Sequence, residues 1–341
     1  MSKRTKISVA VITYNQQDTI RQTLESILMQ KGDFDLELVI GEDCSTDSTY
    51  AICQEYASRS FAHSFTHSVV IKLLPNSHNL GIMANFARVI KACTGDYIAD
   101  IAGDDYYCDD HALEKQLQYM EKHSEVGVLG ANGYQYFVRR NQKIAGFNPT
   151  IEAGKDKAKE FFFSSSYKGG IYLWPVGILY RASVLQYVDF DEITRRGLPV
   201  EDYPIQAILS QHTRFACLPD LLVTYRVYSG STSFLSFGHP KYLEYNRGIA
   251  DTRRYLNELF PQDACFSEEW LQEYEFYKEF LLYLHQLDYQ KAKQLIVDAP
   301  EGILSGAKVR QAKRFTKTKL HFIAAHYIKE YKYRQELKRN T

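Results

Sequence analysis

Two carboxylates stand side by side at Asp104 and Asp105, where the mostly apolar run of YIADIAGDDYYCDD (residues 97–110) stops. Adjacent hard oxygen donors suit Mg²⁺ or Mn²⁺, ions that complete their shell with phosphate oxygens and water. An ion bridging a diphosphate would neutralise the charge that builds as the diphosphate leaves. Gly103, just before them, lets the backbone turn sharply or come close to a ligand. A second acidic set, Glu42 and Asp43, follows the apolar run LELVI; a carboxylate there can accept hydrogen bonds from a base N–H or a ribose hydroxyl. A third pair, Glu201 and Asp202, opens the segment VEDYPIQAIL. Plainer readings stand beside these. Ser45 or Thr46 with Asp47 reads as a helix N-terminus, Asp109 and Asp110 as caps of HALEKQLQYMEKH, and Glu201–Asp202 as a helix cap. Capping does not account for Glu42, Asp43, Asp104 or Asp105.

Such acids act only if a scaffold brings them together. ISVAVIT (7–13), LELVIGE (36–42) and VVIKLL (69–74) read as strands, as does the run ending at Asp104. Helices are expected over 17–30, from near Thr46, and from Ile82 to Cys93, where Thr94-Gly95 is a stop. This βαβα order points to an α/β fold whose parallel strands carry helices on both faces. Ligands of open α/β sheets bind beyond the carboxyl ends of the strands, where both Asp43 and Asp104 fall. The turn after the first strand, TYNQQDT, is not a GxGxxG fingerprint, and the chain has no GKS or GKT phosphate loop. Later, GIYLWPVGILYRASVL reads as a strand feeding a short helix, with Trp174 a core residue or a sugar-stacking platform.

Length and composition allow one large α/β domain, or a domain with a helical appendage: 341 residues, 45% hydrophobic and 14% aromatic. The six cysteines lie far apart without a CxxC pair, so free thiols in a reducing cytosol are expected. No 18-residue apolar segment occurs, and the N-terminal apolar run is too short for a signal peptide. The chain is formally neutral, yet residues 308–341 hold eleven Lys or Arg against two Glu, a net +9 that the remainder balances with −9. Phe315, Leu320, Phe322, Ile323, Tyr327, Ile328 and Tyr331 run through this tail. A basic amphipathic helix resting on anionic lipid is expected there.

The motifs VAVITYN, ELVIGEDCSTDST, NLG, TGDYIADIAGDDYYCDDHALEKQ, VEDYPI and VTYRVYSGS, in this order, resemble the GT-A-fold inverting glycosyltransferases of family two over about residues 5–232. The resemblance implies a Rossmann-like mixed sheet flanked by helices. It implies donor contacts at Thr13, Tyr14, Asn15, Asp43 and Asn79, and an Asp104 that holds metal and diphosphate with Asp105 assisting. It places the catalytic base at Asp202. Arg226 in YRVYSGS matches a diphosphate-facing segment, or else anchors a strand by a salt bridge. Two positions depart from the family: Ala102 stands where the first acid of the DxD motif belongs, and Tyr228 where many relatives carry a histidine.

The expected organisation is a GT-A domain over 1–237, with a nucleotide-sugar half (1–110) and an acceptor half (111–237), then a helical extension over 238–341. The expected activity is metal-dependent, inverting transfer from a nucleotide sugar, a UDP-sugar by preference, to a glycan or lipid-linked glycan acceptor at the cytoplasmic membrane face. No nucleic-acid partner is expected. Two alternatives are a GT-A domain that has lost catalysis and serves as a binding module, and a sugar-phosphate nucleotidyltransferase; the latter would want a glycine-rich basic loop where TYNQQDT stands.

Overall fold

The structure is a computed structural model that describes residues 4–59, 68–152, 158–163, 173–228, 241–264 and 266–340, and at 160–161 and 333–340 the backbone alone. Cys265, residues 170–172 of the GIYLW segment and residues 229–231 of YRVYSGS lie outside the described residues.

The expected alternation is present. Strand β1 (Lys6–Thr13) leads to helix α1 (Ile20–Leu28), β2 (Asp35–Glu42) to α2 (Thr49–Ser58), and β3 (Val69–Pro75) to α3 (Ile82–Ala92) before β4 (Tyr97–Ala102). There follow β5 (Tyr106–Tyr107), α4 (Ala112–Lys122), β6 (Val126–Phe137), β7 (Gln142–Ala145), α5 (Ala158–Phe162), β8 (Leu179–Arg181), α6 (Phe190–Arg195), α7 (Asp202–Leu209) and β9 (Arg214–Val227). Among the described residues these strands form one mixed sheet in the order β3-β2-β1-β4-β8-β6-β9-β5, with β7 paired to β6. Strands β3, β2, β1 and β4 run parallel, with Ile12 opposite both Gly41 and Ala102. That register aligns the carboxyl ends of β1, β2 and β4, so the turns after Thr13, Glu42 and Ala102 lie side by side. Strand β8 then pairs antiparallel to β4 and β6. This is the mixed GT-A-type α/β architecture expected from the sequence.

Apolar runs explain these strands. Val9, Val11, Leu38, Ile40 and Ile101 are buried in the main core, packed with Ile20, Leu24 and Ile27 of α1 at helical spacing. Glu37 is a buried exception in β2: it accepts from Ser8 Oγ at 2.5 Å and from the Thr94 amide at 2.7 Å, and pairs with Lys72 at 2.8 Å.

The chain divides into two compact units, Met1–Tyr136 with Asn141–Arg226, and Phe137–Arg140 with Val227–Thr341. The second carries α8 (Tyr242–Leu259), α9 (Glu268–His285), α10 (Tyr289–Val297), α11 (Ala307–Phe315) and α12 (Lys319–Asn340). Its core gathers Phe276, Phe280 and Leu284 of α9 with Ile303, Val309, Ala312, Phe322 and Ala325. The tail therefore departs from a helix with one apolar face. It is two helices, and the apolar residues of α12 divide between opposite sides: Phe322 and Ala325 are buried, while Leu320, Tyr327, Ile328 and Tyr331 are 79%, 66%, 56% and 65% exposed. Phe315 likewise packs on the core. None of the described helices is long and apolar enough to cross a membrane.

Candidate functional site

The turns after β1 and β2 are tied to each other. Asn15 takes a left-handed conformation (φ 52°), its amide donates to Ser45 Oγ at 2.9 Å, and its Oδ1 accepts from the Thr46 amide at 2.8 Å. Ser45 and Thr46 thus serve the neighbouring loop and do not cap a helix. Helix α2 begins only at Thr49, whose amide donates to Asp47 Oδ1 at 2.9 Å. Thr13 is buried and donates to Gln16 Oε1 at 2.8 Å, whereas Tyr14 is 44% exposed. Asn15, Gln16 and Thr13 therefore shape a rigid loop from which an aromatic ring projects.

Asp43 is buried and organises the NLG loop. Its Oδ1 accepts from Asn76 Nδ2 and from the Leu80 amide, both at 2.7 Å, and its Oδ2 from the Gly81 amide at 3.0 Å. Exposed Asn79 donates to the Asp43 carbonyl at 3.2 Å. A carboxylate offers about four lone-pair sites, so Asp43 retains acceptor capacity for one more donor. Neither Asn76 nor the two loop amides was visible as partners in the sequence, because a backbone donor carries no residue signature.

At the end of β4 the turn is held from below. A Cβ on Gly103 would lie 2.5 Å from Gln16 Oε1 and 2.7 Å from Thr13 Oγ1, so the close approach of this turn to the β1 loop requires glycine. Thr23 Oγ1 donates to the carbonyls of Gly103 (3.0 Å) and Asp105 (2.6 Å). Asp105 is buried and its Oδ1 accepts from the Arg226 amide at 2.8 Å, while Asp104 is partly exposed. Arg226 itself is buried: its guanidinium donates to the Asp104 carbonyl and to Gln22 Oε1 and stacks 4.7 Å from the Tyr106 ring centroid. Burial, and after it the charge of Asp104, pushes the Asp105 carboxyl well above its usual range. Arg226 offsets part of this repulsion, a divalent cation would offset more, and the donors are hard oxygens; the two acids fit Mg²⁺ or Mn²⁺. Among the described residues no group of three or more His, Cys, Asp or Glu gathers there, so the remaining positions of an ion would fall to phosphate oxygens and water.

The third acidic pair lies in the same unit, at the start of α7. Glu201 occupies the N-cap position, yet its side chain makes no capping hydrogen bond, and Asp202 Oδ1 accepts from the adjacent Tyr203 amide at 2.7 Å. Burial, then the charge of Asp202, raises the Glu201 carboxyl to about 8. Trp174 is half-buried, its ring 5.6 Å from that of Phe147 and edge-on to that of Tyr225 at 5.4 Å.

One acid that sequence reasoning passed over as part of a strand joins this group. Asp100, in the middle of β4, is buried, accepts from the Ile178 amide at 3.1 Å and Tyr180 Oη at 3.3 Å, and lies within electrostatic reach of Asp202. The signal that could have found it is a carboxylate inside an apolar run. The five described cysteines, Cys44, Cys53, Cys93, Cys108 and Cys217, are free thiols.

Acid-bearing turns follow β2 and β4 of a GT-A-type sheet, and comparison with known proteins agrees with that fold. The model of glycosyl transferase family 2 matches residues 8–185, and the chain belongs to that family. It is 36% identical over 220 residues to an uncharacterized protein of Mycobacterium tuberculosis (strain H37Rv), covering 64% of this chain and 58% of that protein, so the chain spans less than two thirds of that relative's length. It is 31% identical over 134 residues to the poly(ribitol-phosphate) beta-N-acetylglucosaminyltransferase TarS of Staphylococcus aureus, covering 38% of this chain and 22% of TarS. In structure it is similar to TarS residues 1–349 in complex with UDP-GlcNAc (TM-score 0.55, 18% identity, 97% and 92% of the two chains). It is also similar to the mannosyltransferase PcManGT of Pyrobaculum calidifontis in complex with GDP-Man and Mn²⁺ (TM-score 0.51, 13% identity, 95% and 86%).

Proposed function

We propose that the protein is an inverting, metal-dependent glycosyltransferase that moves a sugar from a nucleotide sugar, a UDP-sugar by preference, to an acceptor hydroxyl in surface polysaccharide or lipid-linked glycan assembly. The observation that carries the reading is the alignment of the β1, β2 and β4 turns, which sets Asp43 and Asp104 along one sheet edge. Tyr14, exposed on the rigid loop after Thr13, stacks on the base, with Asn15 fixing that loop and Asp43 accepting from a base or ribose donor. Asn79 holds the loop across Asp43, while Arg226 steadies the Asp104 turn beside the diphosphate. Asp104 is the side chain that holds the cation, with buried Asp105 behind it. When bound, the cation supplies charge neutralisation to the departing diphosphate.

Asp202 takes the proton of the acceptor hydroxyl while that oxygen attacks the anomeric carbon from the face opposite the diphosphate. The missing cap bond of Glu201 supports this use of the pair, since helix capping leaves its side chain without a task.

Residues 1–237 act as the transferase domain in this reading, in a nucleotide-sugar half and an acceptor half, with 238–341 as the helical extension. Leu320, Tyr327, Ile328 and Tyr331 recur at helical spacing on the outward side of α12. With the basic residues of 308–341 around them, they suit an anionic membrane surface, the inner face of the plasma membrane.

The donor half is tested by calorimetry of UDP with and without Mn²⁺. Asp104→Ala should keep the fold and lose the Mn²⁺-dependent gain in affinity; an undiminished gain would remove Asp104 from the metal site.

A further inference from the structure

Helix α9 carries Trp270, Tyr274 and Tyr277 at four- and three-residue spacing, all half-buried, with the Trp270 and Tyr274 rings stacked at 5.7 Å. The two phenols are fixed in place: Tyr274 Oη donates to Asn246 Oδ1 at 3.0 Å and Tyr277 Oη to Gln311 Oε1 at 2.8 Å. Cations from three helices gather on these rings. Around Tyr274 stand Arg253 of α8 at 5.0 Å from the ring centroid, Lys278 of α9 at 5.2 Å and Lys308 of α11 at 5.4 Å. Arg253 and Lys308 each lie 5.0 Å from the Trp270 centroid as well, and Lys308 lies 5.9 Å from that of Tyr277. All of these residues belong to the second unit.

An aromatic face attracts one cation, but three that share a ring stand within about a Debye length of one another and repel. Water does little to relieve this, since Arg253 is 7% exposed and both lysines are half-buried. The strain shows in the ammonium groups. Burial, and after it the charges of Lys308 and Arg253, lowers Lys278 below its ordinary value; burial lowers Lys308 too, with Glu273 opposing and Arg253 adding to the effect. The Glu273 carboxylate serves the first turn of α11, where its Oε1 accepts from the Lys308 amide at 2.6 Å. Other acids of α9 go to other cations: Glu268 and Glu275 pair with Arg254 at 2.8 and 2.7 Å, and Glu279 with Arg247 at 3.4 Å. Among the described residues neither Lys278 nor Lys308 forms an ion pair.

We infer that Lys278 and Lys308 hold a phosphate group, free or carried on a larger molecule, at a binding site of the helical unit walled by the α9 rings, with Arg253 adding its field. The chemistry matches the arrangement. Lysine serves phosphate as a mobile point charge, and a phosphate of charge about −1.5 to −2 presents oxygens enough to meet two ammonium groups at once. Such an anion removes the repulsion that the rings alone do not offset. The inference does not depend on Asp104 or Asp202.

The test is a phosphorus NMR titration of inorganic phosphate with the full chain, beside Lys278→Gln/Lys308→Gln. The wild type should broaden the phosphate signal saturably, and the double variant should bind roughly tenfold more weakly, having lost two charge-assisted contacts. UDP affinity should be equal in the two proteins, which separates this site from the donor turns. Removing like charges relieves repulsion, so the variant should fold; Lys278→Gln alone is the milder change and should fall between. Lys278→Arg/Lys308→Arg keeps both charges and should keep the binding. Co-sedimentation with phosphatidic acid vesicles distinguishes the sources of such a group: a lower bound fraction in the double variant names a lipid headgroup, and an equal fraction names a soluble phosphate. No saturable binding by the wild type, or equal phosphate binding by wild type and double variant, would overturn the inference.

Discussion

The backbone amide of Arg226 donates to Asp105 Oδ1 at 2.8 Å, joining residues 121 positions apart in the sequence. The same arginine's guanidinium reaches the carbonyl of Asp104, so β9 grips the acidic turn with both its main chain and its side chain. A salt-bridge anchor and a phosphate contact were the two sequence readings of Arg226, and its buried contacts describe a clamp on the turn that presents Asp104.

Arg226→Lys keeps the charge and loses the planar fork that reaches the Asp104 carbonyl and Gln22 together. A loss of about 1–3 kcal/mol in urea unfolding is expected, the cost of leaving buried acceptors unmade. An unchanged midpoint would show that the clamp is dispensable.

Glu37 makes stability depend on acid. Burial alone would raise its carboxyl, but hydrogen bonds from Lys72, Ser8 and Thr94 outweigh burial and hold it at about 2. A carboxyl depressed on folding stabilises fully above its unfolded value and loses that contribution as pH falls toward the folded one. Stability should therefore fall by on the order of 2 kcal/mol between about pH 5 and pH 2 from this group. Glu37→Gln should be less stable at neutral pH and show a shallower acid slope; equal slopes in the two proteins would contradict the assignment.

How much of this was legible beforehand follows the physics of each element. Strands β1 to β4 are apolar runs bounded by turns, and the acids at their ends stood out because charge follows buried residues abruptly. Helix α2 starts three residues later than Thr46 because Ser45 and Thr46 bond to the β1 loop, a partner 30 residues away that local capping rules do not see. Asp100 escaped for the same reason: its partners Ile178 and Tyr180 lie about 80 residues on, and nothing in a six-residue strand announces them. The tail misled differently. Period-3.6 spacing reports that apolar residues occur, but α12 carries them on two sides, and only packing against α9 reveals that Phe322 faces inward and Leu320 outward.

That division yields a surface test. Leu320→Glu with Ile328→Glu changes exposed residues only, so the fold should survive and melting should stay within about 0.5 kcal/mol of wild type. Co-sedimentation with phosphatidylserine-containing vesicles should fall at least tenfold, and binding by the wild type should weaken with added salt as surface charges are screened. Undiminished sedimentation of the double variant would show that this side of α12 does not meet lipid.

The central claim is that Asp202 removes the acceptor proton. Asp202→Asn preserves size and polarity and suits a helix start equally well, but an amide cannot take that proton. The most direct measurement is the rate of sugar transfer by Asp202→Asn beside its affinity for the donor. The account predicts a drop of about 10²–10⁴-fold in transfer with donor affinity nearly unchanged; near-normal transfer would contradict it and move the base elsewhere, with Glu201 the next candidate.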